Sequence, residues 1–564
     1  RTAGSAATVL PVDRRDDDKE SAAESGSEQP VTRSLPTIPC LKQEAASQYK
    51  GRYLIWPGMF LLGAIAIAGV VLMVIYSWKA HHAMNSRRSE YNARMAKRFA
   101  IGADIDDGSF DGSGGDDGES PRNPSTYGNR GIPHIHAVRA RHCAHVHPPV
   151  STGCALPNYV STKGQIFALG PKGESVPIGI KGINWFGMET GLAIPFGLWA
   201  NDDNGTTYEV ARFLAKNRFN SVRLPLCVSH LLTNRRPQQN VINIVQNKAI
   251  NATTYMSTLS SIVQTLAFRN ISVLLDMHSL SSTDSGGLPW TNAAGESAFM
   301  DAVDVLTTQL CNAKHWNIVG LDLKNEPHLA TWGDGGAADF RLMAQRIGNR
   351  MLTKCPSWLA FVEGINTPHT ITIDGETFSF TDWWGGGLEG ASANPVELGL
   401  DNKIVYAPHY YNPAVYPQLY YLKSGTRAGD TIIDFQELDD GTLAKRVQVT
   451  SEYMFGHLRQ SQDGAIVLGE FGGLYTQDAH PMRTTQRATE ALIEIMKEPG
   501  YAGGYLWALN PESAYQFNPS NKRVTATEGL LDVTWLNVNE PFLKAMAAMD
   551  SLPNLRSFPC FPTT

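Results

Sequence analysis

The chain has 564 residues, of which 42% are hydrophobic and 18% are charged, and its formal net charge is −6. This length exceeds what one hydrophobic core usually holds, so we expect a domain with extensions. The net charge is slightly negative, whereas nucleic-acid-binding proteins are usually strongly basic. We therefore expect no nucleic-acid partner.

Three segments of different composition precede residue 153. Residues 1–52 are polar, mix both charges and lack apolar periodicity, which predicts a disordered N-terminal tail. Residues 53–78 contain no charged side chain and can cross a hydrocarbon core of ~30 Å, which predicts a transmembrane helix. Residues 79–152 include a run rich in Asp, Gly and Ser, and we predict a flexible stalk or linker there.

The apolar segment predicts a single-pass membrane protein, bound to the membrane through residues 53–78, with its C-terminal domain outside the cell. The flanking charges favour the opposite orientation, because the basic residues cluster after the segment, beginning with Lys79. Six of the seven cysteines follow residue 100, and this even set favours disulfides and an oxidising compartment. We expect Cys311–Cys355, because each lies near the end of a predicted helix, and consider Cys143–Cys154 as a second pair.

Histidines cluster with Cys143 in residues 132–148, and such a cluster can bind zinc. Its spacing matches no standard zinc finger. We therefore interpret it as part of the linker and predict no metal site, with zinc binding as the alternative.

From about residue 153 onward, short apolar runs alternate with longer amphipathic stretches, which is typical of repeated strand–helix units. The strand candidates are Ile178–Phe186, Asn220–Leu226, Ser272–His278, Ile318–Glu326, Trp358–Glu363, Lys403–Tyr411, Ala465–Glu470 and Gly503–Leu509. They predict an α/β fold, a (β/α)8 TIM barrel over residues 153–564, although this pattern alone does not exclude a doubly wound sheet.

Polar or aromatic side chains recur where these strands end, and barrel enzymes take their catalytic residues from those ends. The candidates are Arg223, His278, Asn325, Glu326, His409, Tyr411, Glu470 and Trp507. Each has a structural explanation when taken alone, such as a packed core histidine or a buried ion pair. Their agreement over several strands favours a functional site.

Glu326 and Glu470 suit the cleavage of a glycosidic bond. That reaction needs one protonated carboxyl for the leaving oxygen and one ionised carboxylate for attack or for activating water. A separation of ~5–5.5 Å gives retention and ~6.5–9.5 Å gives inversion, and sequence does not set this distance. We expect Arg223 to pair with the nucleophile, Tyr411 to donate to it or to the ring oxygen, and Asn325 to bond the sugar 2-hydroxyl.

The remaining candidates are expected to contact sugar directly. His278 and His409 suit sugar hydroxyls or the proton of the acid, and Trp507 suits the stacking floor of the site. Trp185 and Trp384 lie in or beside loops and are candidate platforms for further sugars.

These motifs, taken in order, resemble glycoside hydrolase family 5, the cellulase-type (β/α)8 glycosidases. They are GINWFGMET at 182–190, VRLP at 222–225, NEP at 325–327, HYY at 409–411, GEFGG at 469–473 and Trp507. The resemblance implies Glu326 as the acid/base, Glu470 as the nucleophile, retention, and no metal or cofactor. The loop DWWGG at 382–386 also resembles some members, but Gly387 stands where many relatives have an asparagine-containing turn, which leaves the sugar contacts there open.

We therefore predict a monomeric, retaining hydrolase of β-glycosidic bonds in a polysaccharide or oligosaccharide, with a β-1,4-glucan as the first choice. A β-1,3- or β-1,6-glucanase, a β-mannanase and a glucan-remodelling transglycosylase are the alternatives. A further alternative is a catalytically inactive carbohydrate-binding protein with the same barrel fold.

Overall fold

The computed structural model describes residues 153–198, 205–519 and 526–563, together with Gly69. Parallel strands form a closed barrel, in which each strand pairs with the next and the last pairs with the first. The barrel strands are Ile180–Asn184, Ser221–Cys227, Ser272–Ser279, Ile318–Asp322, Leu359–Val362, Ile404–Tyr406 with His409–Tyr411, Ile466–Gly472 and Tyr501–Trp507. The predicted (β/α)8 barrel is confirmed, and the closure excludes an open doubly wound sheet.

The barrel strands are apolar because they are covered on both faces. Every residue of Ser221–Cys227, Ser272–Ser279, Ile466–Gly472 and Tyr501–Trp507 is buried. Parallel strands with helices outside and packed side chains inside have this pattern, which explains why their sequences read as continuous apolar runs.

Two strand predictions need correction, and both corrections bear on the site. The sixth strand is not continuous over Lys403–Tyr411 but breaks at Pro408, which has no N–H to continue the ladder. Its second half pairs with the seventh strand and sets His409 opposite Glu470. The fourth strand ends at Asp322, so Glu326 lies in the loop that follows and not on the strand.

Helices connect most of the strands. They are Thr207–Lys216, Val228–Thr233, Tyr255–Ala267, Ala293–Leu310, Phe340–Lys354, Asp440–Ser451, Leu458–Ser461, Thr484–Ile495 and Glu540–Met546. The first begins at a capping box, in which Thr206 and Glu209 each bond the backbone of the other. A π-helical turn, Glu452–Gly456, separates Asp440–Ser451 from Leu458–Ser461.

A three-stranded antiparallel sheet, Asn158–Thr162, Gln165–Leu169 and Ser175–Ile178, precedes the barrel. Its backbone bonds the turns that lead into the fifth and sixth strands, through Tyr159 N–H to the Ser357 carbonyl and Ser161 N–H to the Asn402 carbonyl. The sheet therefore covers the end of the barrel opposite the strand ends that carry the candidate residues.

Three further strand pairs decorate the barrel. The hairpin Pro368–Ile373/Glu376–Thr381 follows the fifth strand, and Leu422–Ala428/Thr431–Glu437 follows the sixth. Ala514–Tyr515 pairs with Ala526–Thr527 after the eighth.

Two disulfides join described residues. Cys311–Cys355 is confirmed and links the C-terminal ends of helices Ala293–Leu310 and Phe340–Lys354. The candidate pair Cys143–Cys154 is wrong, because Cys154 bonds Cys560 with a Cα–Cα distance of 5.1 Å. A backbone bridge between Cys154 and Pro562 brings these distant segments together.

The predicted membrane location is contradicted. No helix in the described part of the chain is both long and apolar enough to span a membrane. The longest, Ala293–Leu310, has 18 residues and carries Glu296, Asp301 and Asp304. The predicted tail, span, stalk and histidine cluster, over residues 1–152, lie outside the described residues except for Gly69.

Candidate active site

Two glutamates and a histidine meet at the carboxyl ends of the barrel strands. A carboxylate oxygen of Glu326, one of Glu470 and a ring nitrogen of His409 all lie within 4.8 Å of one another. This approach leaves less room between the two carboxyl groups than the ~6.5–9.5 Å that accompanies inversion, and it is compatible with the ~5–5.5 Å that accompanies retention.

Glu326 is held in an unusual backbone conformation. Its φ is +45°, a left-handed value that costs a non-glycine residue of order 1–3 kcal/mol and persists only where neighbours stabilise it. Its N–H donates to Glu363 Oε2 at 2.8 Å. Its side chain is 12% exposed, and its Oε1 lies 3.2 Å from His409 Nδ1. The loop thus turns this carboxyl into the cleft while keeping it in contact with solvent.

Glu470 lies deeper, on the seventh strand. Arg223 Nη1 donates to its Oε1 at 2.7 Å, the Tyr411 hydroxyl donates to its Oε2, and His409 Nδ1 is 3.7 Å from Oε2. Burial raises the pKa of Glu470, while the positive charges of His409 and Arg223 oppose that shift. The ionisation of Glu470 therefore depends on these neighbours.

Arg223 is the centre of the hydrogen-bond network below the two glutamates. Its side chain is fully buried, and its nitrogens contact Asn184, Asp276, Asp322, Asn325, Glu363 and Glu470 at 2.7–3.1 Å. Because Asn325 Oδ1 accepts from Arg223, the amide nitrogen of Asn325 is the group available to a sugar hydroxyl.

His409 lies between Glu326 and Glu363. Its Nε2 lies 3.1 Å from Glu363 Oε1, and its Nδ1 faces Glu326. Burial alone lowers the pKa of His409, but Glu363 and Glu470 raise it well above its ordinary value. The His409 imidazole accordingly lies among three carboxyl groups, Glu326, Glu363 and Glu470, whose charges favour its protonated form.

His278 and Trp507 form one wall of the site. His278 Nδ1 is 2.7 Å from Asp276 Oδ2, and its ring lies nearly parallel to that of Trp507, with centroids 6.1 Å apart. Trp507 also stacks with Phe186 at 5.4 Å. Burial lowers the pKa of His278, but the contact with Asp276 outweighs it and raises the pKa overall.

The two predicted tryptophan platforms differ. Trp185 is only 1% exposed and its indole N–H donates to the Phe196 carbonyl, so it belongs to the core and offers no face to a sugar. Trp384 is half-buried and stacks on His328 with ring centroids 3.7 Å apart. His328 Nδ1 lies 2.9 Å from the Glu326 carbonyl, which places this pair beside Glu326.

Several site residues were not among the sequence candidates: Asn184, Asp276, Asp322, Lys324, His328 and Glu363. A signal was present for three of them, because Asp276 and Asp322 are charges in otherwise apolar strands and Lys324 follows the second of these strands after a single leucine. Such charges need partners when they are buried. Lys324 Nζ donates to the His278 carbonyl at 3.3 Å, and burial lowers the pKa of Lys324 to about 8.

Asp322, Glu363 and His409 lie close enough together to share a cation. Arg223 already donates to both carboxylates, at 2.9 and 3.1 Å. The guanidinium group of Arg223 thus supplies the positive charge that a cation would otherwise bring to Asp322 and Glu363.

The sequence model described as cellulase (glycosyl hydrolase family 5) matches residues 172–513. The major extracellular endoglucanase of Xanthomonas campestris pv. campestris is 29% identical over 363 residues, which are 64% of this chain and 65% of that protein. An endoglucanase of Paenibacillus polymyxa is 28% identical over 362 residues, which are 64% of this chain and 80% of that protein. The match therefore spans just under two thirds of the length of the Xanthomonas relative.

Solved structures of similar proteins cover a comparable share of this chain. A complex of an endocellulase from Pyrococcus horikoshii with cellotetraose has a TM-score of 0.58 and 27% identity, and covers 70% of this chain and 99% of that chain. The catalytic domain of the Xanthomonas campestris endoglucanase has a TM-score of 0.55 and 27% identity, and covers 69% of this chain and 99% of that chain.

Proposed function

The chain belongs to the cellulase family, glycosyl hydrolase family 5, and from this premise we propose that it is a retaining, endo-acting β-glucanase. We assign the catalytic domain to residues 153–564. The observation that carries the proposal is the approach of Glu326 and Glu470 to within 4.8 Å, one carboxyl partly exposed and the other buried against Arg223. Two carboxyl groups in different environments at this separation suit double displacement.

In the first step, Glu470 attacks the anomeric carbon while Glu326 gives its proton to the leaving glycosidic oxygen. A covalent glycosyl-enzyme forms on Glu470, and the reducing-end fragment departs. In the second step, Glu326 takes a proton from water, which attacks the same carbon and releases Glu470. Two inversions at one carbon give net retention.

The surrounding residues have defined tasks in this scheme. Arg223 and Tyr411 hold Glu470 ionised and oriented through bonds to its two oxygens. The Asn325 amide is positioned to donate to the sugar 2-hydroxyl, a contact that strengthens in the transition state. His278 is positioned for sugar hydroxyls, and Trp507 forms the wall beside it.

A β-1,4-glucan is the proposed substrate class. The similar proteins are described as endoglucanases or endocellulases, and one of them is complexed with cellotetraose. Trp384, stacked on His328 beside Glu326, suits a sugar on the leaving-group side, because sugar C–H faces pack on aromatic rings. We propose that the active form is a monomer, which light scattering of the purified protein tests.

The test compares hydrolysis of soluble β-1,4-, β-1,3- and β-1,6-glucans and a β-mannan. We expect the highest kcat/KM on the β-1,4-glucan, a fall in viscosity that precedes the release of reducing ends, and the β-anomer as the first product by NMR. Glu326→Gln and Glu470→Gln are each expected to lose roughly 10²–10⁴ of the rate.

The matched control is Glu494→Gln, which changes an exposed glutamate near the C-terminal end of helix Thr484–Ile495, ahead of the start of the eighth strand and away from the strand ends that form the cleft. It is expected to keep full activity. Wild-type rates in both cleft variants contradict the mechanism, and a preference for another glycan contradicts the substrate class.

A further inference from the structure

A second group of ionisable side chains lies at the base of the loop that follows the fifth strand. His369 belongs to the hairpin strand Pro368–Ile373, while Asp382 and Glu389 belong to the segment that runs on from this hairpin. His369 Nε2 lies 2.8 Å from Asp382 Oδ2 and 3.2 Å from Glu389 Oε1. Potential ligand atoms of all three lie within 4.8 Å of one another.

The hydrogen bonds within this group leave buried oxygens without donors. The Asp382 side chain is completely buried, and its Oδ1 has no hydrogen-bond partner among the described residues. Glu389 Oε1, which faces His369, is likewise buried without a hydrogen bond. One imidazole nitrogen has a single N–H to share between two carboxylates, so the two buried oxygens without donors keep lone pairs that a cation can use.

We propose that His369, Asp382 and Glu389 form a binding site for a divalent transition-metal ion, represented by Zn²⁺. One imidazole nitrogen and two carboxylate oxygens match the donor types that zinc takes in proteins, with a further position open to water. His369 and Glu389 side chains are 13% and 24% exposed, so an ion can enter from solvent.

Outer contacts orient the ligands as metal sites require. The other ring nitrogen of His369, Nδ1, lies 3.3 Å from the Tyr453 hydroxyl, and Thr367 N–H donates to Asp382 Oδ2 at 3.1 Å. The His369 ring also packs against Phe380 and Tyr453. Such contacts fix the tautomer and orientation of a ligating histidine.

A metal at this position links the hairpin to both ends of the segment 382–389. That segment carries Trp384, which stacks on His328 beside Glu326. Binding of the ion is therefore expected to stabilise the platform for sugar. This effect on sugar binding rests on the proposed function. The binding of the metal ion does not depend on it.

The test uses the full chain, stripped with a chelator and then dialysed against Zn²⁺. The histidines of residues 132–148 can also take up zinc, so the measured quantity is the difference between wild type and variants. We expect Glu389→Gln and His369→Gln each to bind one Zn²⁺ fewer per chain. The matched control is Glu397→Gln, an exposed glutamate in the segment that follows, which is expected to bind as wild type does.

A second measurement tests whether the bound ion stabilises the fold. Zinc is expected to raise the Tm of the wild type and of Glu397→Gln by roughly 2–4 °C, and to leave Glu389→Gln unchanged. Equal zinc content and equal Tm shifts in the wild type, Glu389→Gln and His369→Gln overturn the proposal and indicate a shared proton in place of the metal. If the zinc difference is found in a chain that hydrolyses no glycan, the metal site stands and the proposed function fails.

Discussion

Arg223 Nη1 lies 2.7 Å from Glu470 Oε1, and both side chains are buried although the strands that carry them are not neighbours in the barrel. This ion pair crosses the barrel mouth below the cleft. Burial raises the pKa of Glu470, and the charges of His409 and Arg223 act against that rise. The reactivity of Glu470 is thus set by residues from other strands.

Tyr411→Phe is expected to lower kcat/KM about 10- to 100-fold, because it removes a hydrogen bond to a charged group. A donor stabilises the ionised carboxylate, so its loss raises the pKa of Glu470 further. The acidic limb of the pH profile therefore moves to higher pH. A pH series of kcat/KM checks this, with Tyr410→Phe as the control, since the Tyr410 hydroxyl bonds Thr450 instead. An unshifted acidic limb in Tyr411→Phe contradicts the role given to its hydroxyl.

The substitution Glu326→Gln is expected to slow mainly the hydrolysis of substrates whose leaving group needs a proton. Hydrolysis of an unactivated glucan should fall by roughly 10²–10⁴, while a nitrophenyl glycoside, whose leaving group needs little assistance, loses much less. Added azide should restore turnover of the activated substrate by attacking the glycosyl-enzyme, and should yield the β-glycosyl azide. Equal losses on both substrates, without azide rescue, would assign Glu326 another role.

Trp384→Ala is expected to weaken the binding of cello-oligosaccharides by roughly tenfold, since an aromatic contact of this kind is worth about 1–1.5 kcal/mol. The effect should appear in KM for longer oligosaccharides more than for short ones that do not reach Trp384. Titration calorimetry and KM values measure it. Phe268→Ala, which removes an aromatic side chain that is 53% exposed at a helix end, is the control. Equal affinity in both variants speaks against a sugar platform at Trp384.

Asp478→Asn is expected to destabilise the fold at neutral pH by about 1–3 kcal/mol. Asp478 accepts from His480 Nδ1 at 2.8 Å and from the N–H groups of Thr485 and Gln486, at the start of helix Thr484–Ile495. Burial alone raises the pKa of Asp478, but the bonds from His480 outweigh it and lower the pKa.

A lowered pKa means that this stabilisation is present above the unfolded value of ~3.9 and disappears as pH falls through the folded value. Urea unfolding at several pH values should therefore show a gap between wild type and Asp478→Asn at pH 7 that closes in acid. Asp430→Asn, in an exposed turn, should show no gap. A gap that stays constant with pH contradicts the ionic origin of the stabilisation.

The barrel was readable from sequence because parallel strands buried on both faces are continuous apolar runs. The candidates Arg223, Asn325, Glu326 and Glu470 could be found because each interrupts or ends such a run. Glu363 ends the predicted strand Trp358–Glu363 but is not among the predicted site residues. Its importance comes from contacts with Glu326, Arg223 and His409, which lie far away in the chain.

The errors share one physical cause, which is that local pattern does not report long-range geometry. Trp185 and Trp384 both follow the end of a strand, so their sequence contexts look alike. The fold alone determines that Trp185 is buried in the core. The predicted pair Cys143–Cys154 joins cysteines that are close in sequence, whereas the partner of Cys154 is Cys560, 406 residues away. The π-helical turn likewise depends on packing that residue periodicity does not encode. The break in the sixth strand is different, because Pro408 is a local signal for it.

The central claim is that Glu470 forms a covalent bond to the sugar. A 2-deoxy-2-fluoro cellobioside with a good leaving group should inactivate the enzyme in step with the incorporation of one sugar per chain. Peptide mass spectrometry is predicted to locate that sugar on Glu470, and cellobiose should protect against its attachment. Attachment to Glu326 or elsewhere, or an α-configured first product by NMR, would contradict the double-displacement account.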